Sequence, residues 1–181
     1  MREKEIKFKI KDLKHLEDNL IKQGCVFSDP INQHDITYSQ KNSNLDYTCA
    51  KEGDVILRIR RQDGKSEFNI KKQCSGESDN IEHETHIDNP DEMDKILKLL
   101  DWVPQVEVKK IRKKGKWDGY EICLDKVEKL GDFMEIEKMV EDDSNPETIR
   151  EELFDKVKLL GLIKEDEEIR GYDTQIFQLT N

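Results

Sequence analysis

The sequence predicts an α+β fold, a sheet or barrel of strands with helices packed on its outside. Three observations point there. Three segments carry apolar residues at helical spacing, while most of the remainder alternates apolar and polar residues. In addition, Glu3-Lys4-Glu5, Glu82-His83-Glu84 and Glu135-Ile136-Glu137 each place Glu-x-Glu in a strand that leads into one of the three helices.

The elements follow in order. A first strand covers about residues 2–10, and a helix runs from Asp12 to Gln23 with Leu13, Leu16, Leu20 and Ile21 on one face and Gly24 at its end. Strands follow at 33–39, 55–62, 66–73 and 81–88, with Asp63-Gly64 as a turn between two of them. A second helix spans Pro90 to Trp102: Asn89 caps it, Pro90 opens it, and Met93, Ile96, Leu97 and Leu100 form its stripe. Strands at 105–114, 118–126 and 133–140 are divided by Lys114-Gly115 and Leu130-Gly131-Asp132. The third helix runs from Ser144 to Leu162, with Ser144 and Glu147 at capping-box spacing and Ile149, Leu153, Val157 and Leu160 inward.

At 181 residues without a Pro-rich or Gly/Ser-rich linker, the chain reads as a single domain, 1–181. Charged residues make up 40%, against about 25% in an ordinary globular protein, but the signs are mixed and apolar residues recur regularly, as in a folded chain. The net charge of -10 argues against a generic nucleic-acid binder. No stretch approaches the roughly 18 apolar residues of a membrane span, and the N-terminus has no apolar signal core. Cys25, Cys49, Cys74 and Cys123 form no Cys-x-x-Cys pair, so reduced thiols in the cytoplasm are expected.

Side chains alternate between the faces of a strand, so parity sorts the charges. Glu3, Glu5 and Lys7 oppose Lys4, Ile6, Phe8 and Ile10. Glu135 and Glu137 oppose Met134 and Ile136, and Asp125 opposes Ile122 and Leu124. Arg58 and Arg60 share a face, Lys71 falls with Asn69, and Lys110 falls with Arg112. Turned into one barrel, these faces would bring acids and bases into one wet interior, because isolated charges are costly to bury. Paired carboxylates suit magnesium or manganese. Clustered Arg and Lys suit phosphate. Together they describe a site for a metal-bound polyphosphate.

The same residues resemble the CYTH superfamily of triphosphate tunnel metalloenzymes, in its class IV adenylyl cyclase branch. Glu3-x-Glu5-x-Lys7 is similar to the family's ExExK signature, and His34-Asp35-Ile36-Thr37-Tyr38 to its second-strand motif. Leu57-Arg58-Ile59-Arg60, Ile70-Lys71 and Lys110-Ile111-Arg112 match further strands. The block from Leu124 to Glu137 is the most specific part, and Arg170-Gly171-Tyr172 resembles a terminal Arg-Ser-Tyr.

The resemblance implies an eight-stranded antiparallel β-barrel with a hydrophilic tunnel and external helices. It implies triphosphate binding by Lys7, Arg58, Arg60, Lys71, Lys110 and Arg112, with Glu84 (Glu82 less securely) as a further tunnel acid and Arg170 closing one end. Glu3, Glu5, Asp125, Glu135 and Glu137 would hold one or two Mg2+ or Mn2+ ions. Relatives suggest a homodimer. Two reactions follow: cyclisation of ATP to cyclic AMP and pyrophosphate, or hydrolysis of tripolyphosphate, thiamine triphosphate or a nucleotide. In hydrolytic relatives a tyrosine–lysine pair is implicated, and Tyr38 and Lys71 look like its counterparts. A non-catalytic polyphosphate or nucleotide-binding module is the reading from another class, and the five motif carboxylates weigh against it.

Overall fold

The computed structural model describes residues 2–41, 51–76, 79–140 and 145–180, with backbone alone at 2, 3, 74–76, 79, 80 and 146. The elements are β1 (Arg2–Ile10), α1 (Leu13–Lys22), β2 (Val26–Phe27), β3 (Ile31–Gln40), β4 (Val55–Gln62), β5 (Lys65–Gly76) and β6 (Asp79–His86). They continue with α2 (Pro90–Leu99), β7 (Trp102–Trp117), β8 (Tyr120–Val127), β9 (Gly131–Val140), α3 (Pro146–Lys158), a 3-10 turn (Lys164–Asp166) and α4 (Tyr172–Thr180). Each expected Glu-x-Glu strand leads into a helix: β1 into α1, β6 into α2, β9 into α3. The chain packs as two compact units, Met1–Ile31 with Ile111–Ile169, and Asn32–Lys110 with Arg170–Asn181.

In the first unit the strand order is β1-β9-β8-β7, with β2 on the end of β7. One face of β1, β8 and β9 is apolar, through Ile6, Phe8, Ile122, Leu124, Met134 and Ile136. Leu13, Leu16 and Leu20 of α1 and Leu153, Phe154 and Val157 of α3 bury it. That leaves the opposite face for the charges. Asp12 caps α1 by accepting from the His15 amide.

In the second unit the order is β7-β3-β4-β5-β6. Tyr38, Leu57 and Ile59 pack with Leu97 of α2, and Phe68, Ile70 and Met93 flank them. The expected cap of α2 is present: Asn89 accepts from the Glu92 amide at 3.0 Å. Asp63 and Gly64, both at positive φ, make the tight turn between β4 and β5.

Four local expectations are corrected. Lys114-Gly115 is not a turn; β7 runs through it to Trp117, and the chain reverses at Asp118-Gly119, both at positive φ. Helix α2 stops at Leu99, and Trp102 begins β7. The cap of α3 is Asn145, which accepts from the amides of Glu147 and Thr148, while Ser144 lies outside the described residues. Finally, α4 was not expected. Its buried residues are Tyr172, Thr174, Gln175 and Ile176, mostly polar, so no apolar stripe announces it.

Candidate functional site

Residues paired across an antiparallel sheet share a face, so register builds the charged surface of each unit. In the first unit Glu5 pairs with Glu137, which pairs with Glu121. In the next row Lys7 pairs with Glu135, and Glu135 with Cys123. Ligand oxygens of Glu5, Glu135 and Glu137 lie within 4.8 Å of one another, and Glu121, Cys123 and Glu137 form a second such group. Glu3 is on β1 opposite Met139; its side chain is outside the described residues.

Arg112 is fully embedded among these acids. Its Nε and Nη2 donate to Asp125 at 2.7 and 2.5 Å, Nη2 also reaches Glu135, and Nη1 stands 3.9 Å from Glu137. Burial opposes the charged guanidinium, but Glu135 and Asp125 outweigh it and hold its pKa above the usual arginine range. Thus Arg112, expected at phosphate, is engaged with the acids, and Asp125, expected at metal, is forked by Arg112 rather than grouped with the three glutamates. Burial pushes the Cys123 thiol well up, and Cys123 Sγ donates to Glu137 at 3.4 Å.

The fit to a cation rests on this donor set. Carboxylate oxygens alone make the Glu5-Glu135-Glu137 group, which suits a hard ion such as Mg2+ or Mn2+. Lys7 and Arg112 are buried beside it, yet they are outnumbered by Glu5, Asp125, Glu135 and Glu137. A divalent ion would relieve the mutual repulsion of these carboxylates.

The second unit carries the bases. Thr37, Arg58, Asn69 and Glu84 form one row of β3-β4-β5-β6, and Asp35, Arg60, Glu67 and His86 the next. Lys71, rather than exposed Lys72, shares this face, between Ile56 and Glu82. Its Nζ is 3.4 Å from Glu82 Oε1, and Asn69 donates to Glu82 Oε2 at 3.2 Å. Burial would raise the Glu82 carboxyl, but the charges of Lys71 and Arg58 prevail and lower it. Glu82 is therefore the acid that meets Lys71, while Glu84 lies opposite Asn69; both are exposed. Lys110 is buried with its Nζ 4.9 Å from the Tyr172 ring centre, a cation–π contact. Arg170, two residues before α4, donates to Gln178 at 3.0 Å and is exposed.

Asp35 was visible in the sequence only as part of a motif. In the structure it is 5% exposed and accepts from Arg60 Nε at 2.8 Å and Nη2 at 2.7 Å, with Arg58 Nη1 3.9 Å away. Burial alone would raise its pKa; the Arg60 hydrogen bonds and the charges of Arg58, Arg60 and Lys110 bring it down to about 2. Arg58 Nε is buried without a hydrogen-bond partner among the described residues. A buried donor of that kind is an opening for a ligand oxygen.

Tyr38 is the clear departure from expectation. It pairs with Leu57 on the apolar face and donates to Asp94 of α2 at 2.8 Å, so the structure does not bring it to Lys71.

Residues 1–172 match the CYTH domain family. MJ0240 of Methanocaldococcus jannaschii, whose name proposes it as an adenylate cyclase, is 31% identical over 168 residues, 92% of this chain and 93% of that one. Among solved structures, PH1819 of Pyrococcus horikoshii OT3 superposes with a TM-score of 0.81 at 27% identity, over 99% of each chain. A Hippeastrum protein, proposed as an adenylyl cyclase and described as having a dominant triphosphatase activity, shares the fold with a TM-score of 0.66 at 20% identity, over 99% of this chain and 95% of that one. The chain belongs to the CYTH family. No helix among the described residues is long and apolar enough to cross a membrane.

Proposed function

We propose that the chain is a metal-dependent enzyme acting on a triphosphate, and that it is a class IV adenylyl cyclase converting ATP to cyclic AMP and pyrophosphate in the cytoplasm. The observation that carries the metal-dependent reading is the Glu5-Glu135-Glu137 group of hard donors. The relative named for adenylate cyclase supports the choice of reaction, as does the separation of Tyr38 from Lys71.

In this reading Glu5, Glu135 and Glu137 hold Mg2+ or Mn2+, with Glu3 as a further candidate. Arg112 fixes the orientation of Glu135 and Asp125 and limits the negative charge that a bound ion must offset. When bound, the ion supplies charge neutralisation at phosphate and acidifies an attacking hydroxyl. Arg58, Arg60, Lys71 and Lys110 take phosphate oxygens, and Lys7 and Arg170 remain proposed triphosphate contacts. In cyclisation the ribose 3′-oxygen bonds to the α-phosphorus and the bond to the pyrophosphate oxygen breaks. The bases stabilise the charge developing on that leaving group.

Hydrolysis of a triphosphate is the second reading, favoured by the activity stated for the Hippeastrum protein. Incubation with ATP and, separately, tripolyphosphate in Mg2+ or Mn2+ tests both. Cyclic AMP with pyrophosphate is expected. Orthophosphate without cyclic AMP would replace the cyclase by a triphosphatase, and metal-dependent binding without turnover would leave a binding module.

A further inference from the structure

Asp35 has no part in the assignments made so far. It is a buried carboxylate set among the very bases proposed to take phosphate, forked by Arg60 and 3.9 Å from Arg58. A face optimised only to hold a polyanion would not carry a fixed anion there. The two parallel N–H contacts fix the plane of the Arg60 guanidinium, which a single contact would leave free to rotate. Hydrogen-bond register reinforces this: Asp35 and Arg60 are directly paired residues of β3 and β4, so the backbone sets their separation.

We propose that Asp35 is a positioning residue that fixes Arg60 for the transition state and weakens ground-state binding of triphosphate and pyrophosphate alike. This inference rests on the reading that the second unit's bases bind the triphosphate. Its logic is differential binding. Uniform attraction to substrate and product adds nothing to turnover once the site is filled, and slows release of a polyanionic product. A fixed carboxylate subtracts that uniform attraction, while its fork with Arg60 preserves the orientation on which stabilisation of the leaving group depends.

The test measures tripolyphosphate affinity by calorimetry without metal, then kcat and KM with ATP or tripolyphosphate and Mn2+, for the full chain and two variants. Asp35→Asn removes the charge and is expected to bind tripolyphosphate on the order of tenfold more tightly, with kcat lower by about 10- to 100-fold. Asp35→Glu keeps the charge but shifts the fork, so affinity stays near wild type while kcat falls. A merely structural role would weaken binding and turnover together, even in the fraction that stays folded. Parallel losses of that kind, or unchanged affinity in a folded Asp35→Asn protein, overturn the proposal. Absence of tripolyphosphate binding by the unaltered chain would instead overturn the underlying reading, and the proposal with it.

Discussion

Tyr38 and Lys71 stand on opposite faces of one sheet: Tyr38 aligns through Leu57 with Ile70, one residue before Lys71 on β5. The tyrosine hydroxyl is committed to Asp94, and burial, with that acid beside it, pushes its pKa well up. A phenol held in this way is a strut between β3 and α2. Tyr38→Phe should cost about 1–2 kcal/mol of stability through the lost hydrogen bond to a charged acceptor, measured by denaturant unfolding, and change kcat less than about twofold. Lys71→Ala should do the reverse, with an effect on KM or kcat and little on stability, since Lys71 is half-buried and its ion pair with Glu82 is partly exposed. A drop in kcat for Tyr38→Phe at unchanged stability would restore the tyrosine–lysine pair.

The carboxylate group of the first unit makes a separate prediction. Glu137 belongs to both groups of potential ligands, so its loss affects either arrangement. Glu137→Gln keeps volume and hydrogen bonding but removes one hard, charged donor. Mn2+ affinity and metal-dependent turnover should each fall by at least about 10- to 100-fold, the range seen even for residues that only support a ligand. Manganese titration followed by magnetic resonance reads the first, and product chromatography the second. Chelation by EDTA should abolish turnover in the unaltered chain and excess Mn2+ restore it. Normal turnover by Glu137→Gln across a metal titration would remove this residue from the metal site.

Acid stability follows from Asp35. Its folded pKa of about 2 lies below the ordinary 3.8, so the folded state favours the ionised carboxylate. The corresponding stability, about 2 kcal/mol for a carboxyl this deeply buried, is fully present above about pH 4. It is lost as the pH falls through about 2. Asp35→Asn should be less stable than the unaltered chain near neutrality, and the gap should narrow as the pH is lowered from 4 towards 2. Denaturant midpoints at several pH values test this, and a gap independent of pH would assign the loss to packing.

Period-two alternation made β1, β4, β5, β8 and β9 legible, because each has one apolar face covered by helices and one charged face. Ile6 and Phe8 fall on the first, Glu5 and Lys7 on the second, as the sequence alone indicates. Partnership within the charged face was not legible. Arg112 and Asp125 are 13 residues apart, and only the hairpin at Asp118-Gly119 brings them together. Asp35 and Tyr38 share one motif, yet odd and even spacing sends one to the bases and the other to the core. Motif membership fixed neither role; parity and register did. Helix α4 escaped for a different reason, since much of its buried surface is polar.

Gly115 shows how a glycine can mislead. Beside Lys114 it reads as a turn, but here it is an interior strand residue paired with Phe27 of β2. Its backbone does not require positive φ; what it lacks is room. A Cβ at this position would stand 2.7 Å from Cys25 Sγ and equally close to two ring carbons of Phe27. Cys25 is buried in the first unit's core, so it has little freedom to retreat. Gly115→Ala should therefore destabilise the chain by about 1–3 kcal/mol, the usual cost of overpacking, through displacement of Phe27 and loosening of β2 from β7. Replacing Phe27 by Leu in the same chain should recover part of that loss, because the smaller side chain makes space for the added methyl. Unfolding measurements on the two single variants and the double variant decide it: strictly additive losses would mean that the added methyl and the Phe27 ring do not compete for this space.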